Sequence, residues 1–528
     1  MEIGEKKLFD KDAAYERWDQ RNQRRGNDKY FHEDEREESY LRELKGRIQN
    51  NTSGFLKVVM TALLVLVQIV FVMWLSLQIR TNGTVWYYLI QVSSMVAIVA
   101  LINRNQSPSY RIAWISIITL LPLTGFLLYF LWGRTGKKKK ELDTYIMRQI
   151  SYGNKFLVQD DDLWVDYAEE NPVSGRMVKF MLSENFLLTE GNEVDYFPMG
   201  EDAFEAIFRD LENAKEFVLI DFFIVAEGGL WDKMHDILKR KIKEGVEVKF
   251  LYDDFGAAIR TRKYFKQILE HEGFEVRVFN PIMKYTSQLY MNFRSHQKIM
   301  VIDGKVGYTG GFNLADEYAN LVERFGVWKD TGIRVRGDAV WGLTVVFLQM
   351  WEASSHDKEH VDYLKYKVMQ DVQGDTWCQV ISDGPANNPK NPIESIYNQM
   401  IMYSDQYLYI TTPYLVIEDY MKQSLIEAVR RGVDVRIVTP NIPDKKYAKQ
   451  ILTEDAAIVG TINMDYRSFY LHYENGVWMS GEKIQNDIHR DFEKMFQESK
   501  EISYEDWQRR PLVWKLIQPL LNLFATLF

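Results

Sequence analysis

The sequence predicts an α/β fold in two related halves, set behind transmembrane helices at the N-terminal end. Three observations predict it. Three apolar stretches succeed one another between residues 55 and 132. The same order of helices and strands then occurs twice. The first copy ends in a compact motif of histidine, lysine, aspartate and asparagine, while the second copy is shorter.

Residues 1–54 carry 12 Lys and Arg against 13 Asp and Glu, with few apolar residues between them. Such a segment lacks the apolar surface to build a core and reads as a charged extension. The apolar stretches run from Phe55 to Ile79, Thr84 to Ile102 and Ile112 to Trp132. Each is about long enough to cross a hydrocarbon layer as a helix, so 55–132 is predicted to be a multi-pass anchor in the cell membrane. Trp132 and Tyr129 stand where an interfacial belt would place them. Arg134 and Lys137–Lys140 put the end of the third stretch on the cytoplasmic side. Arg36, Arg42, Lys45, Arg47 and Lys57 ask the same for the start of the first, and three crossings cannot satisfy both. The basic clusters serve either as topology signals or as a surface for anionic headgroups.

Residues 133–198 read as a linker. The first half, 199–365, opens with a helix over Ala203–Ala214, a buried strand over Phe217–Val225, a helix over Leu230–Glu244 and a strand over Val246–Tyr252. The second half, 366–500, repeats the order with Pro392–Tyr403, Gln406–Ile410, Asp419–Arg431 and Val433–Thr439. EGVEVKFLYD in the first matches RGVDVRIVTP in the second. Strands alternating with helices of these lengths define an α/β fold, and the internal match defines a repeat.

The first copy ends in His296-Gln-Lys298 with Asp303 five residues on, then Gly310-Gly311-Phe312-Asn313. His296 and Lys298, two apart, point to one face of a strand. Asp303-Gly304 forms the turn into a returning strand, and the glycine pair lets backbone approach closely. The residue types suit phosphodiester chemistry. Lys298 neutralises phosphate charge, His296 attacks phosphorus or moves a proton, and Asn313 donates to a phosphoryl oxygen. Asp303 either orients an imidazole or braces the turn.

Composition narrows the classes. A net charge of −9 disfavours a nonspecific nucleic-acid binder, and no nucleic-acid partner is expected. A single cysteine, Cys378, excludes an intramolecular disulfide and a thiol-rich metal site.

The motif resembles that of the phospholipase D superfamily, and the chain from about Met95 to its C-terminus is similar to bacterial cardiolipin synthases. The stretches that carry the resemblance are the HxKxxxxD and GGxN block, IDFFIVAEG at 220–228, ITTPYLV at 410–416, GTINMDYRS at 460–468, and Asn105–Pro108, Trp114, Pro122, Gly125 and Tyr129 in the apolar region. The resemblance implies two phospholipase D-like α/β/α sandwich halves meeting at one pocket. It implies transfer of a phosphatidyl group between two phosphatidylglycerol molecules, giving cardiolipin and glycerol, with no metal or cofactor. His296 would be the nucleophile, with Lys298 and Asn313 holding the phosphoryl group and Glu474 supporting its partner motif. Asp465, Arg467 and Ser468 would brace the pocket. Phosphatidylglycerol, other anionic phospholipids and the membrane are the implied partners.

The second motif departs from the family pattern. Tyr447 stands where a histidine is expected, with Lys449, Glu454 and Asn463 in the lysine, aspartate and asparagine places. From Asp253 to Lys298 is 45 residues; from Pro440 to Lys449 is 9, a shortfall of 36. The interval missing from the second half holds a helix and a strand in the first, so a sheet edge should be left open. Lys449 is either the motif lysine or a residue brought there by the junction. His472 is a candidate substitute for the absent histidine. Three readings follow: a cardiolipin synthase, a phospholipase D-type hydrolase, or a catalytically impaired membrane protein that binds anionic lipid or partners an intact synthase. The tail 501–528 is amphipathic and either lies on a membrane or packs on the catalytic region.

Overall fold

The computed structural model describes Val70 and residues 83–104, 107–130, 137–258, 260–281, 292–323, 326–355, 357, 359–440 and 450–524. The charged extension, the first apolar stretch apart from Val70, and the Tyr447–Lys449 junction lie outside the described residues. The chain divides into two compact units. One holds Leu142–Lys500, and the other holds the apolar helices up to Glu141 together with the segment from Glu501.

In the smaller unit, Gly83–Ile102 is one 20-residue helix. Ser107 caps the next, Pro108–Leu120, by accepting from the Tyr110 N–H, and Pro108 occupies its first turn. This helix stops at Leu121, whose φ of −130° and ψ of 72° leave the helical region, and Pro122 begins a separate helix, Pro122–Leu128. The third apolar stretch is therefore broken in two, because proline disfavours helical backbone before it and supplies no N–H. Among the described residues no helix is long and apolar enough to cross a membrane, and the first apolar stretch, Val70 apart, lies outside them. The unit's core is Leu101, Trp114, Ile118, Leu128 and Tyr129, with the Trp114 and Tyr129 rings edge to face at 5.3 Å. Gly125 is required there, since a Cβ would lie 2.5 Å from the Ile117 carbonyl oxygen. The C-terminal helix Leu512–Phe524 packs on Pro108–Leu120 within this same unit.

The larger unit carries sixteen strands among its described residues. The first half supplies β1 (Leu188–Phe197), β2 (Phe217–Phe222), β3 (Glu247–Asp253), β4 (Glu275–Phe279), β5 (Arg294–Ser295), β6 (Lys298–Ile302), β7 (Val306–Gly310) and β8 (Gly332–Arg336). The second supplies β9 (Thr376–Asp383), β10 (Tyr407–Thr411), β11 (Leu415–Val416), β12 (Asp434–Val438), β13 (Gln450–Thr453), β14 (Ala457–Gly460), β15 (Met464–Asp465) and β16 (His472–Ser480). Their order is β12-β10-β13-β14-β16-β9-β1-β8-β7-β6-β2-β3-β4, with β5 beside β16 and β11 paired to β15. The halves match in detail. β2 runs parallel to β3 and antiparallel to β6; β10 runs parallel to β12 and antiparallel to β13. Residues 133–198, read as a linker, contain β1, which pairs with both β8 and β9 and so joins the two halves. Its alternation of apolar and charged residues is interrupted by Gly191, at positive φ, and by a register shift between Thr189 and Asn192.

Side chains of β2 alternate between two cores, as strand geometry requires. Val218, Ile220 and Phe222 enter one with the helices Gly200–Glu212 and Gly229–Lys243. Phe217 and Leu219 enter another, shared with the second half through Tyr409, Leu452, Val459, Val477 and Met479. The fully buried helix Ala339–Ala353 fills this shared core. A third core packs Leu408, Ile410, Ile451, Ile458 and Trp478 under helices Pro392–Tyr403 and Asp419–Arg431. The layers thus run helix, sheet, shared core, sheet, helix. In the first half β4 covers β3. In the second, β12 ends the strand order, with Asp434 and Arg436 exposed.

Candidate active site

β5 and β6 present the first motif, and they do so against the second half. Arg294 and Ser295 pair in parallel with His472 and Tyr473 of β16, and the His296 N–H donates to the Tyr473 carbonyl at 2.8 Å. This register sets the His296 side chain beside Glu474, whose carboxylate oxygens lie 2.9 and 3.0 Å from Nδ1. Glu474 is wholly buried and also accepts from the Thr461 hydroxyl. With Nδ1 donating to that carboxylate, Nε2 is the ring nitrogen available for chemistry.

Lys298 is 1% exposed, its ammonium 2.6 Å from the His296 carbonyl oxygen and over the Phe223 ring at 5.8 Å. Its backbone N–H donates to the Asn475 side chain, which in turn donates to Thr309. Asn313 accepts from the Ile224 N–H at 2.9 Å, which fixes its amide orientation. Gly310 and Gly311 are tight: a Cβ on the first would strike the Thr331 carbonyl, and on the second the Asp330 carboxylate. Asn463 is buried at the matching place of the second half, its N–H donating to Ser468 Oγ and its side-chain oxygen without a hydrogen-bond partner among the described residues. Asp465 caps the short helix Tyr466–Tyr470 by accepting from the Ser468 N–H, so both residues fix the backbone around Asn463.

Two residues grouped with the catalytic candidates do other work. Asp303, at a φ of 52°, accepts the N–H groups of Lys215 and Glu216 at 2.8 Å and of Phe217 at 3.0 Å. Of the two roles open to it, bracing the turn is the one its geometry fills. Glu454 repeats this in the second half, accepting from the Asp405 and Tyr407 N–H groups. Both carboxylates tie the hairpin to the start of the neighbouring strand. Lys449 lies outside the described residues. Sheet register still relates the halves: Ile299 faces Asp221 as Gln450 faces Thr411, and Gly310 faces Gly332 as Gly460 faces Gly476. Asp330 therefore stands in the first half where Glu474 stands in the second.

Beneath the motif lies an acidic pair that the motif reading passed over. Asp221 and Asp253 are both fully buried. Burial pushes the Asp221 carboxyl well above its ordinary range, and Ser295 and Lys298 only partly offset this. Burial raises Asp253 to about 7 against the pull of Arg294 and of the Phe255, Ser295 and Gly256 N–H groups. The signal in the sequence was an acid within or at the end of each apolar run, Asp221 in LIDFF and Asp253 as the first of two aspartates in FLYDD, where a buried charge must find partners or lose its proton. His472, 8% exposed, stands beside His296 and Glu474. Its ring centroid is 5.7 Å from that of His296.

Both halves thus contribute to one site, in which the first motif stands against Glu474 and His472 of the second. Residues 207–333 match the family model described as cardiolipin synthase, phospholipase D-like domain, and residues 92–134 match the phospholipase D-nuclease N-terminal model. The chain is 30% identical over 473 residues to cardiolipin synthase 1 of Staphylococcus aureus, covering 81% of this chain and 94% of that one. It is 29% identical over 468 residues to the major cardiolipin synthase of Bacillus subtilis, covering 81% and 97%. The crystal structure of phosphatidylserine synthase from Haemophilus influenzae shares the fold, with a TM-score of 0.51 at 12% identity over 67% of this chain and 98% of that one. The chain belongs to the cardiolipin synthase family of the phospholipase D superfamily.

Proposed function

We propose that this chain transfers a phosphatidyl group from one phosphatidylglycerol to another, releasing glycerol, through a phosphohistidine on His296. The observation that carries the reading is the His296–Glu474 hydrogen bond. A buried carboxylate holding Nδ1–H orients the imidazole, leaves Nε2 as nucleophile and stabilises the cationic ring that forms on attack. Lys298 and the amides of Asn313 and Asn463 supply positive charge and donors for the phosphoryl oxygens. Glycerol leaves; the hydroxyl of a second phosphatidylglycerol attacks phosphorus and regenerates His296. Membrane attachment through the smaller unit is part of this proposal. It is supported by the exposed apolar residues Val85, Leu89, Val92, Val96 and Val99 on one helix and Leu512, Val513, Leu516 and Leu521 on another.

Mass spectrometry of lipids after incubating the detergent-solubilised chain with labelled phosphatidylglycerol tests the reading, with His296→Ala alongside. Cardiolipin from the parent chain and none from the variant is expected. Phosphatidic acid as the sole product would make the chain a hydrolase. No product from either would leave a lipid-binding relative without transferase activity.

A further inference from the structure

We propose that His472 is the second catalytic imidazole of this chain, serving as the proton donor and acceptor that the second motif lacks; the inference rests on the transferase reading above. A double displacement at phosphorus needs one group to protonate the departing glycerol oxygen and to deprotonate the incoming hydroxyl. In the second motif the residue two before the lysine is Tyr447, whose ordinary pKa near 10 suits that shuttle poorly at neutral pH.

The fold places a histidine beside the nucleophile by another route. His472 and Glu474 are two apart on β16, so they share a face. That face meets His296, because β5 lies parallel to β16 with Arg294 opposite His472. A ring nitrogen of each histidine and a Glu474 oxygen all lie within 4.8 Å of one another. The Phe223 ring lies near both imidazoles, with centroids 5.0 Å from His296 and 6.3 Å from His472.

The steps balance. In the first half-reaction the bond from His296 Nε2 to phosphorus forms and the phosphorus–oxygen bond to glycerol breaks, with the proton of the His472 imidazolium passing to that oxygen. In the second, neutral His472 takes the proton of the acceptor hydroxyl as its oxygen bonds phosphorus and the phosphorus–nitrogen bond breaks. His472 ends protonated and His296 free.

The test compares leaving groups. Parent chain, His472→Ala and His472→Gln are assayed in mixed micelles with phosphatidylglycerol and with a phosphatidyl ester of p-nitrophenol, whose phenolate departs without a proton. Removal of a general acid costs about 10²–10⁴-fold. Turnover of phosphatidylglycerol should fall by that factor in both variants, while the first-turnover burst of p-nitrophenolate is largely kept. Equal losses on both substrates, with unchanged melting temperatures, would make His472 a structural residue and overturn the inference. So would undiminished cardiolipin formation by either variant. Activity abolished by a chelator and restored by zinc would also overturn it, since the cluster would then be a metal site. A parent chain that forms no cardiolipin refutes the transferase reading itself, whereas an active parent with insensitive His472 variants refutes only this step.

Discussion

Replacing Glu474 with glutamine tests the site at its most buried point. The substitution keeps the side-chain volume and removes one charge. Glu474 has no exposed surface, and its two oxygens serve His296 Nδ1 at 2.9 and 3.0 Å and the Thr461 hydroxyl. A hydrogen bond to a charged group contributes roughly 1.5–3 kcal/mol, against roughly 0.5–1.5 for a neutral one. Glutamine also offers an NH₂ where an acceptor stood, which favours the wrong imidazole tautomer. Adding loss of charge opposite the ring that becomes cationic, a barrier increase of about 2–4 kcal/mol follows, or about 30- to 1000-fold in rate. Glu474 is set behind His296, so the loss should fall on kcat with KM little changed. The assay is labelled phosphatidylglycerol in mixed micelles, with kcat and KM resolved and folding checked by thermal melting. A folded Glu474→Gln chain with parental kcat, or with its whole loss in KM, would refute the idea that this carboxylate sets up the nucleophile.

Asp303→Ala strips three backbone N–H groups of their acceptor and should lower stability by about 2–4 kcal/mol, with the folded fraction retaining its specific activity; denaturant titration beside an activity assay checks both. Glu454→Ala, which frees two such groups, should destabilise less in the same titration. A pH effect follows from the acidic pair under the motif. Asp221 and Asp253 have carboxyl pKa values raised by burial, Asp253 to about 7, so the folded state holds protons that the unfolded state releases from about pH 4. Their contribution is complete below the unfolded value and is lost as pH rises through the folded one. The denaturation midpoint should therefore fall between pH 5 and 8, and Asp253→Asn should flatten that slope.

The elements that sequence made legible were those whose periodicity is local. Pro392–Tyr403 and Asp419–Arg431 form helices with the predicted ends, because proline starts the first and Gly432, at a φ of 95°, closes the second. β1 was hidden because it carries glycine, charges and a register shift, and is held by partners on both sides rather than by its own pattern. The site divides along the same line. His296, Lys298 and Asn313 are readable from one short motif. The pairing of His296 with Glu474 spans 178 positions, and only the parallel contact of β5 with β16 creates it. The roles of Asp303 and Glu454 likewise depend on which N–H groups the neighbouring loop brings near.

That distribution also explains how the second half keeps its shape around a shortened motif. β13 and β14 are held by β10 and β16 through the same pairings that hold β6 and β7 in the first half. The shared core binds both sheets to the helix Ala339–Ala353. The segment with no counterpart in the second half supplies β4 in the first, a strand at the far end of the order. Among the described residues β12 ends the order in its place, and the strands that flank Asn463 and carry His472 and Glu474 are all present. Chemistry and fold are thus separable in this half: the sheet needs the pairings around β13, whereas the reaction needs a proton carrier at the pocket, and β16 delivers one from outside the motif.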